Sequence, residues 1–162
     1  MEIVRRQPTA EPLPLDPLLA RVFANRGVAN LDDVTTDLSR LLPPGSLPDI
    51  DIAGSRLAQA IMRDETIMVV GDFDADGATS VALCMLVMRA LGARHLEFLV
   101  PNRFEYGYGL SPEIVELAAS YTPQVIVTVD NGVSSIDGVA LANAKGIDVV
   151  VTDHHLPGFT SG

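Results

Sequence analysis

Three short segments of this 162-residue sequence gather side chains that bind cations. They are Gly71-Asp72-Phe73-Asp74-Ala75-Asp76-Gly77, Asp130-Asn131-Gly132 and Asp153-His154-His155. Together they offer five carboxylates and two imidazoles, an oxygen-rich set that suits Mn²⁺ or Mg²⁺. Carboxylates held close together repel unless a cation offsets them. Two divalent ions side by side can share a water and clamp a phosphate. The charge distribution agrees: residues 61–162 hold thirteen acids against five bases, most of the formal net charge of -10.

Each segment also has a plainer reading. Asp-x-Asp-x-Asp-Gly opens a calcium-binding EF-hand loop. That loop requires a glutamate at its twelfth position, here Leu83, and a preceding helix, here an apolar run of strand type. Asp130-Asn131-Gly132 alone is a turn signal. Adjacent histidines alone are weak, and His95 before an apolar run reads as structural. Cys84, Met85 and Met88 on one helix read as core. No Gly-x-Gly-x-x-Gly or P-loop lysine supports a glycine-rich nucleotide site.

The elements that must position these residues follow from the pattern. Residues 66–70, 96–100, 125–129 and 147–152 are apolar runs bounded by glycine, proline or acidic residues and predict strands. Between them residues 78–91, a stretch opened by Ser111-Pro112, and residues 136–145 predict helices. The alternation predicts an α/β fold, a Rossmann-like, mostly parallel sheet flanked by helices. In such sheets ligands bind beyond the carboxyl ends of the strands, where the three segments lie. Seven of the eleven prolines fall in residues 1–50. Short helices are expected there over residues 18–25 and 30–40, the latter capped by Asn30, with another over residues 52–63. The expected division is a Pro-rich helical region, residues 1–62, and an α/β domain from residue 63 to 162.

Composition bounds the function. With 48% hydrophobic residues the chain can bury a real core. One cysteine excludes a disulfide framework and a cysteine-rich zinc site. The acidic balance argues against a nucleic-acid module that works through overall charge. The start carries no apolar signal region, and no apolar run has the length of a membrane span, so a cytoplasmic protein with no membrane partner is expected.

The order of the three motifs after strands resembles the DHH phosphoesterase superfamily. Within it the chain resembles the RecJ branch, through residues 69–80, Val100-Pro101-Asn102-Arg103-Phe104-Glu105, Gly107-Tyr108-Gly109-Leu110-Ser111-Pro112 and Val151-Thr152-Asp153-His154-His155-Leu156-Pro157-Gly158. The resemblance spans about residues 66–158. It implies a two-ion centre with Asp74, Asp76 and His154 as ligands and Asp130 bridging both ions. Asp72 would assist, standing where some other DHH enzymes carry a histidine. His155 would meet the scissile phosphate or complete the site, and Asp153 would stand behind the ligands or orient a histidine. Arg103 is a candidate phosphate contact, with a surface ion pair as its alternative. Tyr108 would shape a substrate loop or pack.

The implied activity is metal-dependent 5′→3′ hydrolysis of single-stranded DNA to 5′-mononucleotides in repair and recombination. A single-strand-binding protein and a helicase are the implied partners. The family pattern continues with a further ligand aspartate and DNA-holding domains that these residues do not include. The chain is therefore expected to be an N-terminal fragment with little or no nuclease activity alone. Tyr106 departs from the acid usual before Gly-Tyr-Gly. Two other readings remain: a DHH phosphoesterase acting on short oligonucleotides or cyclic dinucleotides, and a non-catalytic metal-binding or interaction domain.

Overall fold

The apolar runs form one sheet. The computed structural model describes residues 7–157. Strands β1 (Ile67–Gly71), β2 (Leu96–Leu99), β3 (Val125–Val129) and β4 (Asp148–Thr152) are all parallel, in the order β2-β1-β3-β4. β1 and β3 are buried along their whole length, as central strands covered on both faces must be. Alternation then decides which side chain meets which layer. Ile67, Val69, Val125, Val127, Val129 and Val150 face α2 (Ile50–Met62) and α3 (Ala75–Ala90), where Ala60, Val81 and Met85 complete the core. Met68, Val70 and Ile126 face the other way. They pack with Ile114, Val115 and Ala118 of α5 (Pro112–Ala119) and Ala142 of α6 (Ile136–Ala144). Met85 and Met88 are buried and Cys84 packs against the first core, as expected.

Register turns this sheet into a site. Gly71 pairs with Val129, and Val129 with Thr152. The residues that follow, Asp72, Asp130 and Asp153, therefore leave the sheet side by side at its carboxyl edge.

Several expectations need correction. Residues 30–40 are not one helix. They form two short 3-10 turns, Leu31–Val34 and Leu38–Arg40, and Asn30 makes no capping hydrogen bond. Thr35 is extended between them, as a β-branched residue readily is. The helix expected from residue 78 starts at Ala75, because Asp74 caps it by accepting from Gly77 N–H at 3.2 Å. A four-residue turn, α4 (Arg103–Tyr106), was not expected; Asn102 caps it by accepting from Phe104 N–H at 3.1 Å. The chain divides into two units between Pro48 and Asp49, not after residue 62. The reason is packing: α2 buries Ala60 against the sheet, with Ala53, Leu57 and Ile61 beside it.

In the first unit, α1 (Pro17–Ala24) starts from Asp16, whose carboxylate accepts from Leu18 N–H, and has Pro17 at its first position. Thr9 ties back to the Ala24 carbonyl. No helix among the described residues is long and apolar enough to cross a membrane.

Candidate metal centre

Every strand end contributes to one acidic cluster except that of the edge strand β2. Asp72 follows β1 and accepts from Phe73 N–H at 2.8 Å. Asp74 caps α3, and Asp76 lies in that helix's first turn. Asp130 follows β3 in a left-handed conformation, φ 63°, a shape that aspartate tolerates better than most residues. Its neighbour Asn131 is buried and donates to the carbonyls of Val70 and Val129, both at 3.0 Å. That amide clamps β1 to β3 at the point where their acids emerge.

Two compact donor groups result. Asp72, Asp74 and Asp130 each bring a carboxylate oxygen within 4.8 Å of the others. Asp130, His154 and His155 do the same with one carboxylate and two ring nitrogens. Asp130 belongs to both groups. His154 Nε2 lies 2.9 Å from Asp130 Oδ1 and 3.8 Å from Asp76 Oδ2. An open cleft of about 340 Å³ runs along Asp76, Ser80, Asp130, Thr152, Asp153 and His154.

The electrostatics of the cluster centre on Asp130. Both Asp130 oxygens are buried, and apart from the His154 contact neither receives a hydrogen bond from the described residues. A buried carboxylate left this way is expensive. Burial first, then the charges of Asp76 and Asp74, raise its pKa, with His154 opposing. A divalent ion would satisfy both oxygens, and a carboxylate–imidazole donor set fits Mn²⁺ or Mg²⁺.

Asp153 plays a different part. Its Oδ2 accepts from Val133 N–H at 2.9 Å, and its Oδ1 accepts from the His155 N–H at 3.0 Å and from His155 Nδ1 at 2.7 Å. Burial would raise this carboxyl, but those hydrogen bonds outweigh it and hold the pKa below the ordinary value. The same bond to Asp153 is the main reason that the His155 pKa is raised; burial opposes it, and the charges of Asp153, Asp130 and Asp72 add to it.

The signs predict a pH window. A lowered carboxyl gives stability present above its unfolded value and lost as pH falls through the folded one. A raised imidazole gives stability present below its unfolded value and lost as pH rises through the folded one. In metal-free buffer the melting temperature of the wild-type chain should exceed that of Asp153→Asn most between about pH 4 and about pH 6.5, and less on either side. A difference that stays constant across that range and beyond contradicts the pairing.

Of the residues singled out from sequence, Asp72, Asp74, Asp76, Asp130, Asp153, His154 and His155 converge on this rim. The Arg103 side chain lies outside the described part of the structure. His95 stands apart, 3.4 Å from Asp64. Sequence reasoning missed Asn131 and Ser80 at the site and left Tyr108 undecided. Tyr108 Oη is 3.0 Å from His155 Nδ1, and its pKa is pushed up to about 12 by burial and by the carboxylates of Asp153, Asp72, Asp130 and Asp74. The signal for it was a tyrosine held between two glycines.

Comparison with known proteins places the chain in a family. The model of the DHH family, N-terminal domain, matches residues 66–161. The chain is 55% identical over 153 residues to the single-stranded-DNA-specific exonuclease RecJ of Salmonella typhimurium, covering 94% of this chain and 26% of that protein. It is 52% identical over 149 residues to the RecJ of Escherichia coli, covering 92% and 26%. The chain thus spans about a quarter of the length of the curated relatives it matches. Among solved structures, an exonuclease RecJ bound to manganese matches with TM-score 0.66 and 34% identity, over 74% of this chain and 31% of the other. RecJ of Thermus thermophilus in complex with Mn²⁺ matches with TM-score 0.62 and 28% identity, over 93% and 23%. The strand ends, their acids and the paired histidines belong to a chain that is a member of the DHH family.

Proposed function

We propose that this chain supplies the metal-binding half of a phosphodiesterase that degrades single-stranded DNA from the 5′ end, in the cytoplasm. The observation that carries the reading is Asp130: one buried carboxylate, with no hydrogen bond to its oxygens from the described residues beyond the His154 contact, shared by two donor groups. The similarity to RecJ exonucleases supplies the substrate. Asp72, Asp74 and Asp130 would hold one divalent ion, and Asp130 with His154 a second, with Asp76 beside them. Mn²⁺ or Mg²⁺ bound there makes a coordinated water more acidic and offsets charge on phosphate oxygens.

The chain's own residues do the rest. Asn131 keeps β1 and β3 in register beneath the acids. Asp153 fixes Nδ1 of His155 as the protonated nitrogen, which leaves Nε2 as an acceptor when the ring is neutral. His155 would then meet a substrate phosphate, with Arg103 as a second phosphate contact.

The test uses a protein that carries this chain together with the length its relatives have. Given Mn²⁺ and a long 5′-labelled strand, it should release labelled mononucleotide from single-stranded but not duplex DNA, and the Asp130→Asn variant should not. Cleavage confined to dinucleotides would instead support a phosphoesterase of short oligonucleotides.

A further inference from the structure

Tyr108 sits on the segment between β2 and α5, between Gly107 and Gly109, both left-handed with φ 78° and 77°. The far end of this segment is fixed. Leu110 is fully buried, and its N–H donates to Ser135 Oγ at 3.0 Å. Its carbonyl lies so close to Gly138 of α6 that a Cβ there would come within 1.8 Å of the oxygen. Tyr108 therefore projects from a short lever with a rigid base.

Its hydroxyl reaches two parts of the candidate centre at once. Tyr108 Oη lies 3.0 Å from His155 Nδ1 and 3.5 Å from Nε2, with the two rings nearly perpendicular at 83°. The same oxygen lies 3.4 Å from the main-chain carbonyl of Asp130. An ionised Asp153 carboxylate can only accept, so His155 Nδ1 carries the hydrogen of that 2.7 Å bond. The tyrosine's own hydrogen is then directed to the Asp130 carbonyl, and its oxygen accepts from the Nδ1–H that it shares with Asp153. Asp153 selects which ring nitrogen is protonated. The hydroxyl sets how the ring sits relative to β3.

We propose that Tyr108 is a positioning residue that, through one hydroxyl, fixes the spacing between the His155 imidazole and the main chain of Asp130. The proposal rests on the metal-centre reading, since His155 and Asp130 share a donor group. Outer partners of this kind typically change metal affinity by about 10- to 100-fold.

The experiment compares wild type, Tyr108→Phe and Asp130→Asn. It reads Mn²⁺ affinity by electron paramagnetic resonance, and the ¹⁵N-resolved ring signals of His155 in the metal-free chain. Tyr108→Phe keeps the ring and should keep the melting temperature. It should bind Mn²⁺ roughly 10-fold more weakly and show shifted, broadened His155 ring signals. If Asp130→Asn weakens binding but Tyr108→Phe lacks either of its two changes, the positioning role is overturned and the metal-centre reading stands. If Asp130→Asn leaves Mn²⁺ binding unchanged, the metal-centre reading fails. The His155 signals then decide alone: unaltered signals in Tyr108→Phe overturn the role, and altered ones support it.

Discussion

Asp130→Asn should abolish tight Mn²⁺ binding and, in the same chain without metal, raise the melting temperature. The two effects have one cause. Asp130 is buried, its oxygens have only His154 as a nearby donor among the described residues, and oxygens of Asp72 and Asp74 lie within 4.8 Å. At an effective dielectric constant of about 20, a like-charge pair at that distance costs roughly 3.5 kcal/mol before solvent screening. Asparagine removes that repulsion at almost the same volume. It also tolerates the left-handed backbone, φ 63°, better than most residues other than glycine. A net gain of about 1 kcal/mol corresponds to a rise of about 2–4 °C for a domain of this size. The lost donor is shared by both groups, so the fall in affinity should exceed the roughly 100-fold that outer-shell changes reach. Calorimetry and thermal melts with and without Mn²⁺ read both effects. Retained binding together with a lower metal-free melting temperature would contradict the assignment.

Gly77→Ala should be strongly destabilising, against what helix propensity expects. Alanine in a helix interior normally gains about 1 kcal/mol over glycine. At Gly77, however, a Cβ would stand 2.4 Å from the carbonyl oxygen of Asp72 and 2.8 Å from its Cα, all of it main chain. The start of α3 would have to retreat from the end of β1, at a cost of about 1–3 kcal/mol or more. Asp74 and Asp76 ride on that first turn, so Mn²⁺ affinity should fall by about 10-fold or more as well. Gly54 in α2 is the control. Among the described residues, nothing beyond its own helix backbone and chain neighbours lies within 4 Å of a Cβ there, and Gly54→Ala should stabilise by about 0.5–1 kcal/mol. Melting curves of the two variants decide the matter, and a Gly77→Ala chain as stable as Gly54→Ala would sink the close-packing argument.

The sheet is legible in the sequence where burial is symmetrical. Runs such as Val125-Ile126-Val127-Thr128-Val129 leave little choice but a strand covered on both faces. Ser111-Pro112 marks the start of α5 because each residue satisfies a distinct need of a helix terminus. Legibility fails where one residue serves two purposes. Asp74, read only as a cation ligand, hides its capping of α3, and the helix is then expected to start too late. Residues 30–40 mislead for the opposite reason: local signals for a helix are present, but no residue of the turn Leu31–Val34 is buried to hold one together. At the site, the acids and histidines are visible by type and order. The hydroxyl of Tyr108 and the amide of Asn131 are not, because their roles depend on neighbours across the sheet edge that no spacing rule reveals.

If Asp130 joins two cation positions, two Mn²⁺ ions held by that one carboxylate must be magnetically coupled. Mn²⁺ titration of the chain followed by electron paramagnetic resonance tests this most directly. The wild type should give a coupled two-ion signal, His154→Ala a single uncoupled ion, and Asp130→Asn no tight binding. Uncoupled Mn²⁺ in the wild type, bound just as tightly after Asp130→Asn, would contradict the shared carboxylate.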